Sequence, residues 1–304
     1  GLLPLSVVME PAIHLAQEGS ILNKKQAFIF KLLEPIFSHS GEGQMLFHLD
    51  GKILKEGDRF INSDFADFLE RVSWEGAASF YLGEVAELLA QNFSEGGLLN
   101  EKALSQYHVA VRKPVMTSFM DTQVYSNPAP SAGGTLIIFL LRLLEEGNIQ
   151  NLKNSDIVQA MAMTNTARKE VCTDPNQEYQ INQLLEKKTF DGYLKKLQSE
   201  RMESDDNLNI PGRGETTHVS VIDKDMNCAS VTTTNGEGCG YILPGMGIML
   251  NNMLGEEDLN PLGFHKWSHP MRLPTMMSPT IIMKDNQPYI LLGSGGSNRI
   301  RSAI

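Results

Sequence analysis

The chain has 304 residues, of which 41% are hydrophobic and 20% charged, and its formal net charge is −10. This is a globular composition, enough for one large domain or two ordinary ones, and it excludes a disordered or fibrous chain. No concentrated basic surface is visible for nucleic acid, and no run reaches the roughly 18 apolar residues of a membrane span.

Leu5 to Gln17 carries apolar residues at helical spacing, with Gly19 as its stop. Gln26 to Phe37, interrupted at Pro35, is a second helix. Ser63-Asp64 opens an amphipathic helix through Phe65, Phe68, Leu69 and Val72. Ala77 to Phe93 continues helical up to Gly96-Gly97, and Asn100 caps a helix through Leu104 and Tyr107. Val109 to Val115 and Gln123 to Ser126 read as short strands. The rigid loop Asn127 to Gly134 feeds an apolar helix, Thr135 to Leu144, and helices follow at Ser155 to Glu170 and Gln180 to Gln198. Asp205 to Gly214 holds Asp, Asn, Pro and Gly with little apolar content, the composition of an exposed linker.

Beyond the linker the pattern changes to alternation. Thr217 to Asp223 and Ala229 to Thr234 form a hairpin across Lys224 to Asn227. Gly247 to Leu250 is an apolar strand. Pro279 to Met283 and Tyr289 to Leu292 form a second hairpin, which runs into Gly293-Ser294-Gly295-Gly296-Ser297 and a final helical turn. Helices first and hairpins second predict layered α+β packing rather than a parallel βαβ sheet. Both ends read as cut from a longer product, so the compartment is left open. Cys172, Cys228 and Cys239 have neither the number nor the spacing of a disulfide framework or a structural zinc site, and read as buried or partly buried thiols. The 15 methionines read as core filling.

The position of Thr216, at the junction of linker and strand, has a chemical use. A cut after Glu215 would put a free α-amine, of unperturbed pKa about 8, on the residue that carries the hydroxyl. The amine can then act as base for that hydroxyl, which is the threonine form of an activated nucleophile. The same hydroxyl can attack the preceding carbonyl, so the cut can be autocatalytic. Taken alone, paired threonines at a strand start are also ordinary β-formers. The glycine loop after the last strand could hold an oxyanion or a phosphate, or be a tight strand-to-helix turn. His218, on an alternating strand, reads as structural, and Asp223 and Asp225 read as turn residues.

Six ordered blocks together resemble the γ-glutamyltranspeptidase family. They are Thr216 to Asp225, Gly245 to Asn252, Met277 to Thr280, Gly293 to Ile300, Glu95 to Asn100 and Tyr125 to Gly134. The resemblance implies an N-terminal-nucleophile hydrolase with a four-layer αββα sandwich, here incomplete at both ends. It implies a large-subunit segment, 1–215, ending in the mobile linker 205–215, and a small-subunit segment, 216–304, both from one self-cleaving precursor. It implies Thr216 as nucleophile, cleavage between Glu215 and Thr216, and Thr234 as the hydroxyl supporting the nucleophile. Gly296 and Ser297 then fall at the oxyanion donors. The chemistry is acyl transfer from a small-molecule γ-glutamyl or related amide to water or an amine, with no metal and no organic cofactor. Family members point to the periplasm or secretion, and a homo-oligomer is a further expectation.

Departures from the family pattern bear on the substrate. Paired serines that bind a substrate carboxylate are replaced here by Thr275 and Met276, and methionine cannot donate a strong hydrogen bond. The loop after Thr234, which holds Asn235 and Glu237, is short for the family. A glutamine after Asn252 is replaced by Met253, and Glu256 is the acidic residue expected to meet the substrate amine. An arginine that pairs with the carboxylate would lie before residue 1. A glutaryl or cephalosporin-type amide acylase on the same fold, and a non-catalytic, unprocessed fragment, are therefore kept as alternatives.

Overall fold

A computed structural model of the protein describes residues 2–93, 99–147, 152–172, 180–199, 215–260, 263–266, 271–296 and 299–304. The fold is mixed α+β and divides into two compact units: Gly1–Val111 with Glu237–Asn251, and Arg112–Gly236 with Asn252–Ile304. Each unit therefore draws on chain from both sides of Thr216. The linker 205–214, the Gly96-Gly97 stop and Ser297 lie outside the described residues.

The first unit is mainly helical. Its Leu5–Glu18 helix stops at Gly19, whose φ of 72° suits glycine and whose N–H returns to the Leu15 carbonyl at 2.9 Å. Lys24–Leu32 starts on a reciprocal cap. The Asn23 side chain accepts the N–H of Lys25 and Gln26, and the Gln26 side chain accepts that of Asn23. The single helix expected over Ala77 to Phe93 is two, Ala78–Tyr81 and Glu84–Asn92. Gly83 separates them in an extended conformation, as a residue that loses more freedom than any other in a helix tends to do. One core of this unit stacks Phe37 on Phe47 at 4.0 Å, with Phe30 edge-on to both. Another gathers Phe68, Val85, Leu89 and Leu104 around Leu243 and Met246.

The excursion 237–251 thus supplies buried residues to this unit. Ile242–Leu243 pairs antiparallel with Ile248–Met249, which is all the strand that forms within the expected Gly247 to Leu250. Asn62 fastens the excursion. It caps Ser63–Glu75 by accepting the Phe65 N–H at 3.1 Å, and donates to the Gly247 carbonyl at 2.9 Å. Cys172 and Cys228 are half-buried as expected, but Cys239 is exposed, because it alternates with the buried Gly238 and Gly240.

The second unit contains a four-stranded antiparallel sheet in the order Gln287–Leu292, Thr280–Lys284, Thr122–Ser126, Val115–Phe119. The strand expected at Val109 to Val115 is displaced to Val115–Phe119. Pro114 has no N–H for a ladder, and Val109 and Val111, 78% and 97% exposed, have no core to face. Ser126 and Thr280 are buried side by side, their hydroxyls 3.1 Å apart.

Against this sheet lies the Ala132–Glu146 helix, buried along most of its length. Its glycines permit close approach. A Cβ on Gly133 would run into the Met276 carbonyl, and one on Gly134 into that of Asn127. Phe139 meets Phe190 and Tyr193 edge-on, each at 5.7 Å, in a core shared with Leu136, Met163 and Ile300. The helix expected over Gln180 to Gln198 is a tight turn, Gln180–Leu185, followed by Lys187–Ser199. The Leu185 carbonyl is taken by the Arg142 guanidinium at 3.1 Å rather than by a helical N–H.

The remaining hairpin, Glu215–Ile222 with Cys228–Gly236, pairs Thr216 with Thr234, His218 with Thr232 and Ser220 with Ser230. These six residues share one face, by the period of two. Val219, Val221 and Val231 lie on the other and are exposed.

Candidate active site

Thr216 follows a register irregularity between Glu215 and Thr216 at the start of the hairpin. Its hydroxyl donates to the Thr234 hydroxyl at 3.2 Å, and Thr234 accepts the Gly236 N–H at 3.1 Å. The two threonines are directly opposed, so the ladder fixes their approach, and the β-branched side chains have few rotamers with which to leave it.

The glycine loop lies against Thr216. A Cβ on Gly295 would strike the Thr216 carbonyl oxygen and lie 3.3 Å from the Thr216 Cβ. Only a residue without a side chain lets the loop backbone come this near. Gly296 has a φ of 121°, a region open to glycine, and its carbonyl accepts the Arg299 N–H at 3.1 Å and Nε at 3.3 Å. Gly296 thus holds the bend between the last strand and the final helical turn, Ile300–Ala303.

A carboxamide and a carboxylate converge beside Gly236, two residues after Thr234. A Cβ on Gly236 would run into Asn252 Oδ1 and come within 2.6 Å of Glu256 Oε1. The Asn252 N–H donates to the Asn235 carbonyl at 3.2 Å. The short loop that carries Glu256 is braced by buried Asn260, whose Nδ2 donates to the carbonyls of Leu254 (3.1 Å) and Glu256 (2.7 Å).

Thr216, Thr234, Asn235, Asn252, Glu256 and Gly296 are therefore all in the second unit, strung along one hairpin and the two loops against it. Glu237 belongs to the first unit. The Met276 side chain is not at the hairpin: it is buried in the core with Leu136 and Phe139. Its neighbour Thr275 turns its hydroxyl back to accept the Met277 N–H at 3.1 Å. Gly295 lies in the glycine loop that the sequence marks as a candidate oxyanion site, whereas nothing in the spacing marks Gly236, where a side chain would collide with Asn252 and Glu256. Among the described residues, no group of three or more His, Cys, Asp or Glu could hold a metal ion, and no helix is long and apolar enough to cross a membrane.

Comparison with known proteins gives an independent view. The family model for gamma-glutamyltranspeptidase matches residues 1–304. The chain is 30% identical over 336 aligned positions to the glutathione hydrolase proenzyme of Escherichia coli, covering 100% of this chain and 57% of that protein. It is 28% identical to an acylase proenzyme, ACY 1, of a Pseudomonas species, over 99% of this chain and 56% of that protein. The chain thus spans a little over half the length of these relatives. Among solved structures, Helicobacter pylori gamma-glutamyltranspeptidase matches 68% of this chain and 62% of its own, at a TM-score of 0.60 and 26% identity. A cephalosporin acylase from Bacillus halodurans shares the fold over 96% of this chain and 56% of its own, at a TM-score of 0.76 and 21% identity.

Proposed function

Since the chain belongs to the gamma-glutamyltranspeptidase family of N-terminal-nucleophile hydrolases, we propose that it is part of a self-processing enzyme whose nucleophile is Thr216 and whose substrates are γ-glutamyl amides. The observation that carries this reading is the Thr216 hydroxyl, held 3.2 Å from Thr234 with the Gly295 backbone against its own residue. In the complete protein the reading includes the four-layer αββα sandwich, with 1–215 and 216–304 as segments of the large and small subunits.

Processing begins when Thr216 Oγ1 attacks the Glu215 carbonyl. The acyl group moves from nitrogen to oxygen, and water hydrolyses the ester. This leaves a carboxylate on Glu215 and a free amine on Thr216. That amine then takes the proton of Oγ1 as the oxygen attacks the substrate amide. The oxyanion that forms is met by backbone N–H groups of the glycine loop, at Gly296 and Ser297. Collapse expels the amine leaving group with a proton. Water or a second amine resolves the acyl-enzyme. Glu256 and Asn252, which meet beside Gly236, supply a carboxylate and an amide oxygen for the substrate α-amine.

A second reading keeps the same nucleophile but gives it a glutaryl-like acyl group, which has the terminal carboxylate and lacks the α-amine; the 28% identity to an acylase proenzyme supports it. The Met276 side chain is buried in the core and offers no donor to the carboxylate that both acyl groups carry, while the Thr275 hydroxyl accepts the Met277 N–H and keeps its own proton to donate. The test is made on the full-length protein. Intact mass should give two pieces separated between Glu215 and Thr216, and a single chain in Thr216→Ala. Turnover of γ-glutamyl against glutaryl anilide then decides the donor. One uncut chain without nucleophile labelling would instead indicate a non-catalytic protein.

A further inference from the structure

The glycine loop touches the hairpin at two points. Gly295 rests on Thr216, and two residues earlier Gly293 rests on His218. A Cβ on Gly293 would collide with Nδ1 and Cε1 of the imidazole and lie 2.6 Å from its Cγ. Thr216 and His218 are separated by one residue on a strand and so share a face. The loop therefore crosses that face with one contact on the ring and the next on the candidate nucleophile.

The ring has little freedom to yield. Its Nδ1 is 2.8 Å from the Thr232 hydroxyl on the opposite strand, and its Nε2 is 2.8 Å from the Ser220 hydroxyl on its own strand. A hydroxyl can donate or accept, so both bonds are made whichever nitrogen carries the proton. Both nitrogens being engaged in this way, the imidazole has no lone pair or N–H directed at Thr216. What it offers the loop is a fixed surface.

We propose that His218 is a positioning residue. Clamped between Thr232 and Ser220, its imidazole carries Gly293 and so sets the height of the glycine loop above Thr216. The inference rests on the reading above that the loop supplies the oxyanion donors. Donors displaced by about 1 Å cost on the order of a hundredfold in rate. The arrangement also accounts for glycine at 293, where the backbone itself lies against the ring.

The experiment is a suppression test on the full-length enzyme. Gly293→Ala should lower kcat about a hundredfold while changing KM little, the pattern of an interaction made only in the transition state. His218→Asn shortens the side chain but keeps an amide able to reach Thr232. Added to Gly293→Ala, it should recover at least about tenfold in kcat, by opening the space the new methyl needs. If Gly293→Ala does not fold, recovery of folded, active protein on adding His218→Asn carries the same meaning. A double variant no better than Gly293→Ala, or a Gly293→Ala protein as active as the parent, overturns the proposal. A parent whose turnover survives Thr216→Ala would instead sink the reading beneath it, so the two failures are distinguishable.

Discussion

The Thr216 hydroxyl and the Thr234 hydroxyl meet at 3.2 Å across paired strands, and Thr234 is held in place by the Gly236 N–H. Thr234 thus links the candidate nucleophile to the turn that leads to Asn252 and Glu256. Thr234→Val keeps the shape and removes the link. Loss of such a bond costs about 1–3 kcal/mol where a partner is left unsatisfied. The expected result is a kcat lowered about tenfold to a hundredfold, with Thr234→Ser retaining most of the activity. Steady-state kinetics on the processed enzyme checks it.

Gly236 has a φ of 66°, and its missing side chain is where Asn252 and Glu256 come together. Gly236→Ala would push both groups away and add left-handed strain of about 1–2 kcal/mol. KM for a γ-glutamyl donor is expected to rise about tenfold or more, since about 1.4 kcal/mol of lost binding is tenfold. A glutaryl donor, which has no α-amine, should be affected less. Equal changes for both donors would separate Glu256 from amine recognition.

The turn of the hairpin depends on Asp223. Its carboxylate accepts the N–H of Asp225 (2.8 Å) and Asn227 (2.9 Å) and the Asn227 side-chain amide (2.9 Å). These bonds, that of the Asn227 side chain first, hold the carboxyl below the usual carboxylate range. A depressed folded pKa stabilises above the unfolded value of about 3.9, and the contribution is lost as pH falls through the folded value. Asp223→Ala should therefore be less stable than the parent at neutral pH, and the difference should shrink below about pH 4. Denaturant midpoints measured from pH 7 down to 3 give the comparison.

Phe139 is fully buried and edge-on to both Phe190 and Tyr193. Phe139→Ala is expected to destabilise by about 3–5 kcal/mol through lost burial and a cavity. Chemical denaturation is the measurement, and a loss under about 1 kcal/mol would mean the core collapses onto the gap.

Much of this was legible in the residues. Helix ends marked by Gly19 and Asn100 fall where the spacing puts them, because a left-handed stop and a side-chain cap are local devices. The two long hairpins follow from alternation of β-branched residues around turn residues, such as Asp285 and Asn286, both at positive φ. The displaced strand at Val115–Phe119 was not legible, since alternation in Val109-Ala110-Val111 looks the same whether or not a partner exists. The break between Gln180–Leu185 and Lys187–Ser199 was hidden too, because it is made by Arg142, distant in sequence.

At the candidate site, the pairing of Thr216 with Thr234 follows from hairpin register, and the nearness of Glu256 to Asn252 from short separation. Met276 could not be placed from its block. Its neighbours Thr275 and Met277 take the loop's polar contacts, while its own side chain turns into the core. The closeness of Gly295 to Thr216 and of Gly293 to His218 joins segments more than seventy residues apart, and spacing carries no trace of it.

The interleaving of the chain has a consequence for the processed state. Leu243 and Met246, downstream of Thr216, are sealed among Phe68, Val85 and Leu89 from upstream, and Met276 and Ile300 are sealed likewise with Phe139 and Phe190. A scission at Thr216 would make each compact body a heterodimer of two peptides that share its interior. Separating them would mean opening both interiors to water. On that reading the severed bond would leave both shared interiors in place.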